Sequence, residues 1–177
     1  RAAMLVSDPE RLRRIARAAG AIQILYAGKA HPHDGVGKGV IKRINDTIAM
    51  ISSDTGREIR IAFLPNYDIG LARRLVAGSD LWLNTPEPPM EASGTSGMKA
   101  ALNGVPSLST MDGWWIEGCV EGVTGWGIGA VPTVGGTLAG QRLGIAASED
   151  LFHSHAEEMY AKLERDIIPL YYNQRER

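Results

Sequence analysis

The feature that most constrains this chain is a repeated alternation of short apolar runs with amphipathic stretches. "IQILYAG", "REIRIAFLPN", "SDLWLNT" and "PSLST" are the apolar runs. "IQILYAG" carries little internal alternation, the pattern of a strand covered on both faces. Between the runs lie segments of helical period. In "SDPERLRRIARAAG", Leu12, Ile15, Ala16 and Ala19 share one face, Ser7 or Asp8 is placed as N-cap before Pro9, and Gly20 ends the helix. "GVGKGVIKRINDTIAMIS" sets Val36, Val40, Ile44, Ile48 and Ile51 at helical spacing, and "DIGLARRLVAG" and "MKAALNG" follow as helices. Strands separated by helices join a parallel sheet through right-handed crossovers. The expectation is one doubly wound, Rossmann-like α/β domain over 1–177.

In such folds ligands sit beyond the carboxyl ends of the strands. That rule selects the loops "GKAHPHDG", "PNYDIG" and "EPPMEASGTSG". Later segments are less regular. "MDGWWIEGCVEGVTGWGIGAVP" reads as irregular and aromatic, and "TVGGTLAGQRLGIAAS" as a loop or weak segment. "SEDLFHSHAEEMYAKLERDIIPLYY" reads as a closing helix, capped by Ser148 and interrupted near Pro169.

Composition narrows the function classes. Of 177 residues 44% are hydrophobic and 22% charged, enough for one sizeable core. A net charge of −1, from 19 basic and 20 acidic residues without a basic block, gives no reason to expect nucleic acid. No apolar run approaches the roughly 18 residues that span a bilayer, so no membrane partner is expected. Cys119 is the single cysteine, which excludes an intrachain disulfide and a thiolate cluster and fits a reducing, cytoplasmic setting. The abrupt start at Arg1 suggests a piece of something longer.

The chemistry concentrates in "EASGTSGMKAALNG". Ser93, Gly94, Thr95, Ser96 and Gly97 lead into a helix that stops at Asn103-Gly104, so unpaired N–H groups and the positive end of the helix dipole face one place. Thr95 and Ser96 can add hydroxyl donors. Lys99 follows about one turn later, where the dipole and any desolvation disfavour its charged form. Spacing alone leaves three readings open: a capped turn, a phosphate or nucleotide site, or a cofactor lysine.

"EASGTSGMKAALNG" resembles the pyridoxal-phosphate lysine segment of the α-glucan phosphorylases, the family of glycogen, starch and maltodextrin phosphorylases. "GKAHP" and "PNYDIGLA" are similar to that family's preceding strand-end loops, and "STMDGWWIEG" with "GWGIG" to its bacterial and archaeal branch. The resemblance runs from about Leu25 to Trp126. It implies the C-terminal half of a two-Rossmann (GT-B) glycosyltransferase fold, and pyridoxal 5'-phosphate as cofactor. It implies that Lys99 carries the cofactor as an imine, and that Thr95 and Ser96, with Gly94, bind its 5'-phosphate. Glu91, Ser93 and Gly94 would hydrogen-bond the transferred glucosyl unit. Tyr67 and Asn66 would line the cofactor pocket, with Lys29 at its edge. The implied reaction converts α-glucan and inorganic phosphate into glucose 1-phosphate with retention. The basic residues that hold the attacking phosphate, and the other Rossmann domain, lie outside this span, so the chain alone is expected not to catalyse. A homo-oligomer is left open.

Two alternatives are weighed. Sugar-nucleotide glucosyltransferases of the glycogen-synthase type carry a Glu-x7-Glu signature here, whereas Glu91 is followed by Lys99 eight positions on. A non-catalytic carbohydrate- or phosphate-binding module would keep the anion turn and need no imine. Elsewhere the bland readings are preferred. His31, His33 and Asp34 are explained by a polar strand-end loop, and no metal is assigned. His153 and His155 are read as surface residues on different helix faces. Trp114, Trp115 and Trp126 are read as packing under a loop, Asp112 and Glu117 as loop-fixing groups, and Arg73 and Arg74 as a solvated helix face.

Overall fold

The computed structural model describes residues 1–53, 58–91, 93–131 and 145–175. After a short 3-10 turn at Met4–Val6, the elements in chain order are α1 (Pro9–Ala19), β1 (Ile22–Ala27), α2 (Gly35–Ser53), β2 (Ile59–Leu64), α3 (Ile69–Gly78), β3 (Trp82–Asn84), α4 (Thr95–Leu102) and β4 (Ser107–Thr110). They continue with α5 (Trp115–Gly118), β5 (Gly125–Ile128), α6 (Ile145–Lys162), a π-helical segment (Leu163–Ile167) and α7 (Ile168–Arg175). The fold is α/β with parallel sheets, compatible with a Rossmann-like arrangement. Most of the glycine-dense stretch from Thr133 onward lies outside the described residues. Among the described residues no helix is long and apolar enough to cross a membrane.

The chain divides into two compact units, one of Arg1–Met4 with Gly70–Met159, the other of Leu5–Ile69 with Tyr160–Arg177. In the first unit β3, β4 and β5 form a parallel sheet in that order, with Leu83 beside Leu108 and Leu108 beside Trp126. All four residues of β4 are buried, as expected of a central strand, and α4 packs on β3 and β4. Ala100 on α4, Leu108 and Ile128 are fully buried. Burying a leucine or isoleucine side chain stabilises a fold by about 1.5–3 kcal/mol.

In the second unit β1 and β2 pair in parallel, Ile22 beside Ile59 through Ala27 beside Leu64, and α2 packs on β2. Gln23 and Leu25 of β1 are exposed, which corrects the expectation of a strand covered on both faces. Within this described unit Leu25 has nothing apolar to cover it fully and keeps 45% of its surface. Helix α1 begins and ends as its sequence implies. Asp8 caps it, accepting the Arg11 N–H at 2.9 Å, and the Gly20 N–H closes on the Ala16 carbonyl. Its face of Leu12, Ile15 and Ala16 is buried, and α1 packs on α7. Arg11 and Glu164 join through two 2.8 Å contacts, while the Tyr160 hydroxyl donates to the Leu5 carbonyl at 2.7 Å.

The last helix is interrupted just before Pro169, as its sequence requires. Proline brings no N–H to the helical ladder and crowds the preceding turn. The chain answers with a wider turn over Leu163–Ile167, in which the Ile168 N–H reaches the Leu163 carbonyl five residues back. The start of this helix differs from expectation. It begins at Ile145, so Ser148 stands inside it and gives its hydroxyl to Glu87 at 2.8 Å instead of capping.

Candidate active site

Everything around the glycine-rich turn follows from how the chain leaves β3. The strap from Thr85 to Glu91 contains Pro86, Pro88 and Pro89, which supply no N–H to a strand ladder, so other groups must fix it. The Thr85 hydroxyl donates to the Arg1 carbonyl at 3.2 Å and the Thr110 hydroxyl to the Pro86 carbonyl at 3.0 Å. Arg1, whose side chain is 6% exposed, lies 3.8 Å from the Glu87 carboxylate and donates to the Ser148 carbonyl at 3.4 Å and to His155 at 3.0 Å.

The far end of the strap is held by the loop after β4. The Asp112 carboxylate, 5% exposed, accepts the Glu91 N–H on Oδ2 and the Gly113 N–H on Oδ1, both at 2.9 Å. The next residues reach the turn itself. The Trp114 N–H donates to the Ser93 carbonyl at 2.9 Å. Gly113 has φ 57, and a Cβ there would stand 2.9 Å from the Ser93 carbonyl oxygen, so only glycine fits this crossing. The Trp114 indole lies on the turn, where a Cβ at Gly97 would meet its Nε1 at 2.9 Å and one at Gly94 its Cδ1 at 3.1 Å.

On this platform α4 starts without a cap. Gly94 sits in the left-handed region at φ 79 and offers no side-chain hydrogen bond to the helix. The Gly97 N–H turns back to the Gly94 carbonyl at 3.2 Å. The N–H groups of Thr95 and Ser96 stand at the open end, beside their own hydroxyls. Thr95 and Lys99 are four residues apart, hence on one face, and both are exposed, whereas Gly97 and Ala100 are buried. Side chains on a helix lean toward its N-terminus, which directs Lys99 back toward the open end. An anion is what such an end attracts.

Against that geometry the comparisons are specific. The family model of the carbohydrate phosphorylases matches residues 9–123, a span that includes the whole turn. The chain belongs to the carbohydrate phosphorylase family. A glycogen phosphorylase of Aquifex aeolicus is 43% identical over 175 residues, which is 98% of this chain and 22% of that protein. A maltodextrin phosphorylase of Thermococcus litoralis is 40% identical over 178 residues, all of this chain and 20% of that protein, and a glycogen phosphorylase of Mycobacterium tuberculosis is 40% identical over all of this chain and 19% of its own length. The chain thus spans about a fifth of the length of the curated relatives it matches.

The structure brings Glu91, Ser93, Gly94, Thr95, Ser96 and Lys99 of this family member onto one strap, turn and helix. Asn66, Tyr67 and Lys29 belong to the second unit. They follow the carboxyl ends of β2 and β1, Asn66 in the left-handed region at φ 56 and exposed, Tyr67 half-buried, Lys29 exposed. Asp112 fixes the loop as expected, while Glu117 stands exposed on α5. Trp115 and Trp126 are buried, and the Trp115 indole N–H donates to the Trp126 carbonyl at 3.3 Å, so they pack the loop. Arg73 and Arg74 lie on a solvated face.

Two features escaped the sequence. His155 is 5% exposed, not a surface residue as expected. A Cβ at Gly129 would run into its ring, and Arg1 donates to its Nδ1. A guanidinium only donates, so Nδ1 accepts and the ring is neutral. Burial first, then the Arg1 charge, lowers its pKa, with Glu158 opposing. The second is the reach of Trp114 over the turn, signalled in sequence only by "DGWW" following a buried strand.

Proposed function

We propose that this chain is the cofactor-binding, C-terminal part of an α-1,4-glucan phosphorylase of two-Rossmann (GT-B) type, which converts glycogen or maltodextrin and inorganic phosphate into glucose 1-phosphate with retention. The reading rests on one observation above all, the uncapped α4 N-terminus with two hydroxyls beside it and an exposed lysine four residues on. These residues fit pyridoxal 5'-phosphate. The Thr95 and Ser96 N–H and hydroxyl groups hold a dianionic phosphate, Gly94 allows it to approach the backbone, and Lys99 binds the aldehyde covalently. When bound, the cofactor supplies a phosphate group that exchanges a proton with the substrate phosphate.

The chain's own contribution is placement. Glu91, Ser93 and Gly94 hydrogen-bond hydroxyls of the glucosyl unit, ahead of the cofactor's anchor in the chain. The resemblance assigns Asn66 and Tyr67 to the cofactor pocket and Lys29 to its edge. The whole span 1–177 acts as one domain of a longer enzyme, and the basic residues that hold the attacking phosphate come from outside it, so the chain by itself does not turn over. Lys99 in place of a second glutamate disfavours a nucleotide-sugar donor, since the ribose-binding carboxylate is gone. The full enzyme works in the cytoplasm.

The test is chemical. The complete protein, incubated with pyridoxal phosphate and reduced with borohydride, gains a cofactor-sized mass on the peptide carrying Lys99, and forms glucose 1-phosphate from glucan and phosphate. An unlabelled Lys99 overturns the cofactor assignment, and labelling without phosphorolysis overturns the reaction.

A further inference from the structure

We propose that Asp112 and Trp114 are positioning residues with separate duties: Asp112 sets the sugar-binding side of the site through Glu91, and the Trp114 indole sets the phosphate-binding side through Gly94 and Gly97, which flank Thr95 and Ser96. The inference deepens the phosphorylase reading and rests on it for the identity of the two ligands. It stands on contacts that exist without either ligand.

Two adjacent stretches of backbone are served by neighbouring residues of one loop. Asp112 is buried and spends one carboxylate oxygen on the Glu91 N–H and the other on the Gly113 N–H, each at 2.9 Å. A carboxylate accepts on both oxygens, which an amide cannot do. An Asp112→Asn side chain therefore presents an NH2 group to one of two N–H donors, so the Glu91 contact is either lost or kept by a neutral oxygen in place of a charged one. Trp114 makes a different set of contacts. Its backbone N–H holds the Ser93 carbonyl, while its indole lies against Gly94 and Gly97, the residues between which the Thr95 and Ser96 donors stand. Gly94 at φ 79 has no cap of its own to hold it, so the indole is what limits the turn from one side. The indole also stacks edge-on against buried Trp115, ring centres 5.1 Å apart, which fixes the wall on which the turn leans.

The two duties separate in measurement. In the complete protein, Asp112→Asn is expected to raise the KM for glucose 1-phosphate in the synthetic direction about ten-fold, the loss of one positioned charge-assisted hydrogen bond, while the borohydride-labelled fraction of Lys99 stays that of the parent. Trp114→Ala is expected to weaken pyridoxal phosphate capture about ten-fold, with Trp114→Phe restoring most of it because a flat ring again meets both glycines. Amide hydrogen exchange on the apoprotein reads the same split without any ligand: faster exchange at Glu91 in Asp112→Asn, and across Gly94–Met98 in Trp114→Ala. A parallel loss of both functions in both variants, or exchange changes that do not separate, overturns the proposal. If the parent protein leaves Lys99 unlabelled, the cofactor assignment falls. The exchange experiment then still decides whether the two residues hold the two stretches, and an unseparated result there sinks the positioning claim on its own.

Discussion

Helices α1 and α4 begin in opposite ways. Asp8 closes the first by accepting the Arg11 N–H at 2.9 Å, and Asp34 closes α2 in the same manner by accepting the Gly37 N–H at 2.8 Å. Helix α4 starts at a left-handed glycine with no side-chain cap. A cap is worth about 1 kcal/mol, so an open end forgoes that stabilisation and keeps its donors for something else. Capped ends are closed to anions by their own carboxylates. The open one is surrounded by hydroxyls, with a lysine on its face. The difference is what the proposed anion site at α4 rests on.

The largest effect expected from breaking the contrast is at Lys99. Lys99→Arg keeps the positive charge near the open end and removes the amine that a carbonyl can capture. Borohydride labelling is expected to vanish, and glucan phosphorolysis by the complete protein to fall on the order of a thousand-fold, with an unchanged circular dichroism spectrum. Retained labelling would place the attachment elsewhere.

Next in size is a substitution that makes α4 resemble its capped neighbours. Thr95→Asp puts a carboxylate in the first turn, which favours the helix by about 0.3–1 kcal/mol. The same carboxylate repels a phosphate. Pyridoxal phosphate affinity is expected to drop at least about ten-fold, consistent with a like charge a few ångströms away, while the melting temperature holds or rises. A titration and a thermal melt decide it. Equal loss of both would mean that the turn is merely structural. The converse is Asp8→Ala, which opens α1. It is expected to cost about 1 kcal/mol in urea unfolding, and to leave cofactor binding alone.

The sequence shows one side of this contrast better than the other. Asp8, Pro9 and Gly20 announce α1 because caps and stops act over a single turn of chain. The open end of α4 was legible for the same reason, through Gly94, Thr95 and Ser96. What holds it open was not. Asp112 and Trp114 act across a gap of some twenty residues, and nothing local to "EASGTSG" names them. Strand β5 was hidden too. Half of "GWGI" is glycine, which weakens a strand pattern, and the segment is a strand because it pairs with β4, where Gly125 lies so close to Ser107 that a Cβ would run into its carbonyl oxygen. The spacing of His153 and His155 correctly puts them on different faces. Which face is covered depends on Arg1 and Gly129, which helical period cannot see. A strand's pairing partner and a helix's covering are long-range facts, and local pattern carries little of either.

The smallest expected effect concerns what keeps the open turn steady from the strap side. His155 accepts from Arg1, and the same guanidinium reaches Glu87 and the Ser148 carbonyl, so one of the ties on the strap leading to Glu91 runs through a neutral histidine. Its pKa is lowered in the folded chain, by burial and then by Arg1, with Glu158 pulling the other way. The sign follows from linkage. The unfolded chain, with its histidine near 6.5, binds the proton first as pH falls, so the stability from neutral His155 is complete above about 6.5 and is lost as pH drops through the folded value. A protonated Nδ1 faces Arg1 with no lone pair to offer, and the strap should loosen while the capped turn at α1 does not. Amide exchange across Thr85–Glu91 is therefore expected to quicken between pH 7.5 and 5.5, after correction for the intrinsic rate, with Ser7–Leu12 unchanged. His155→Gln, which cannot titrate, should flatten that response. If the strap in His155→Gln still loosens with acid, the open turn is steadied by other groups, and Asp112 is the first to examine, because it already holds the Glu91 N–H.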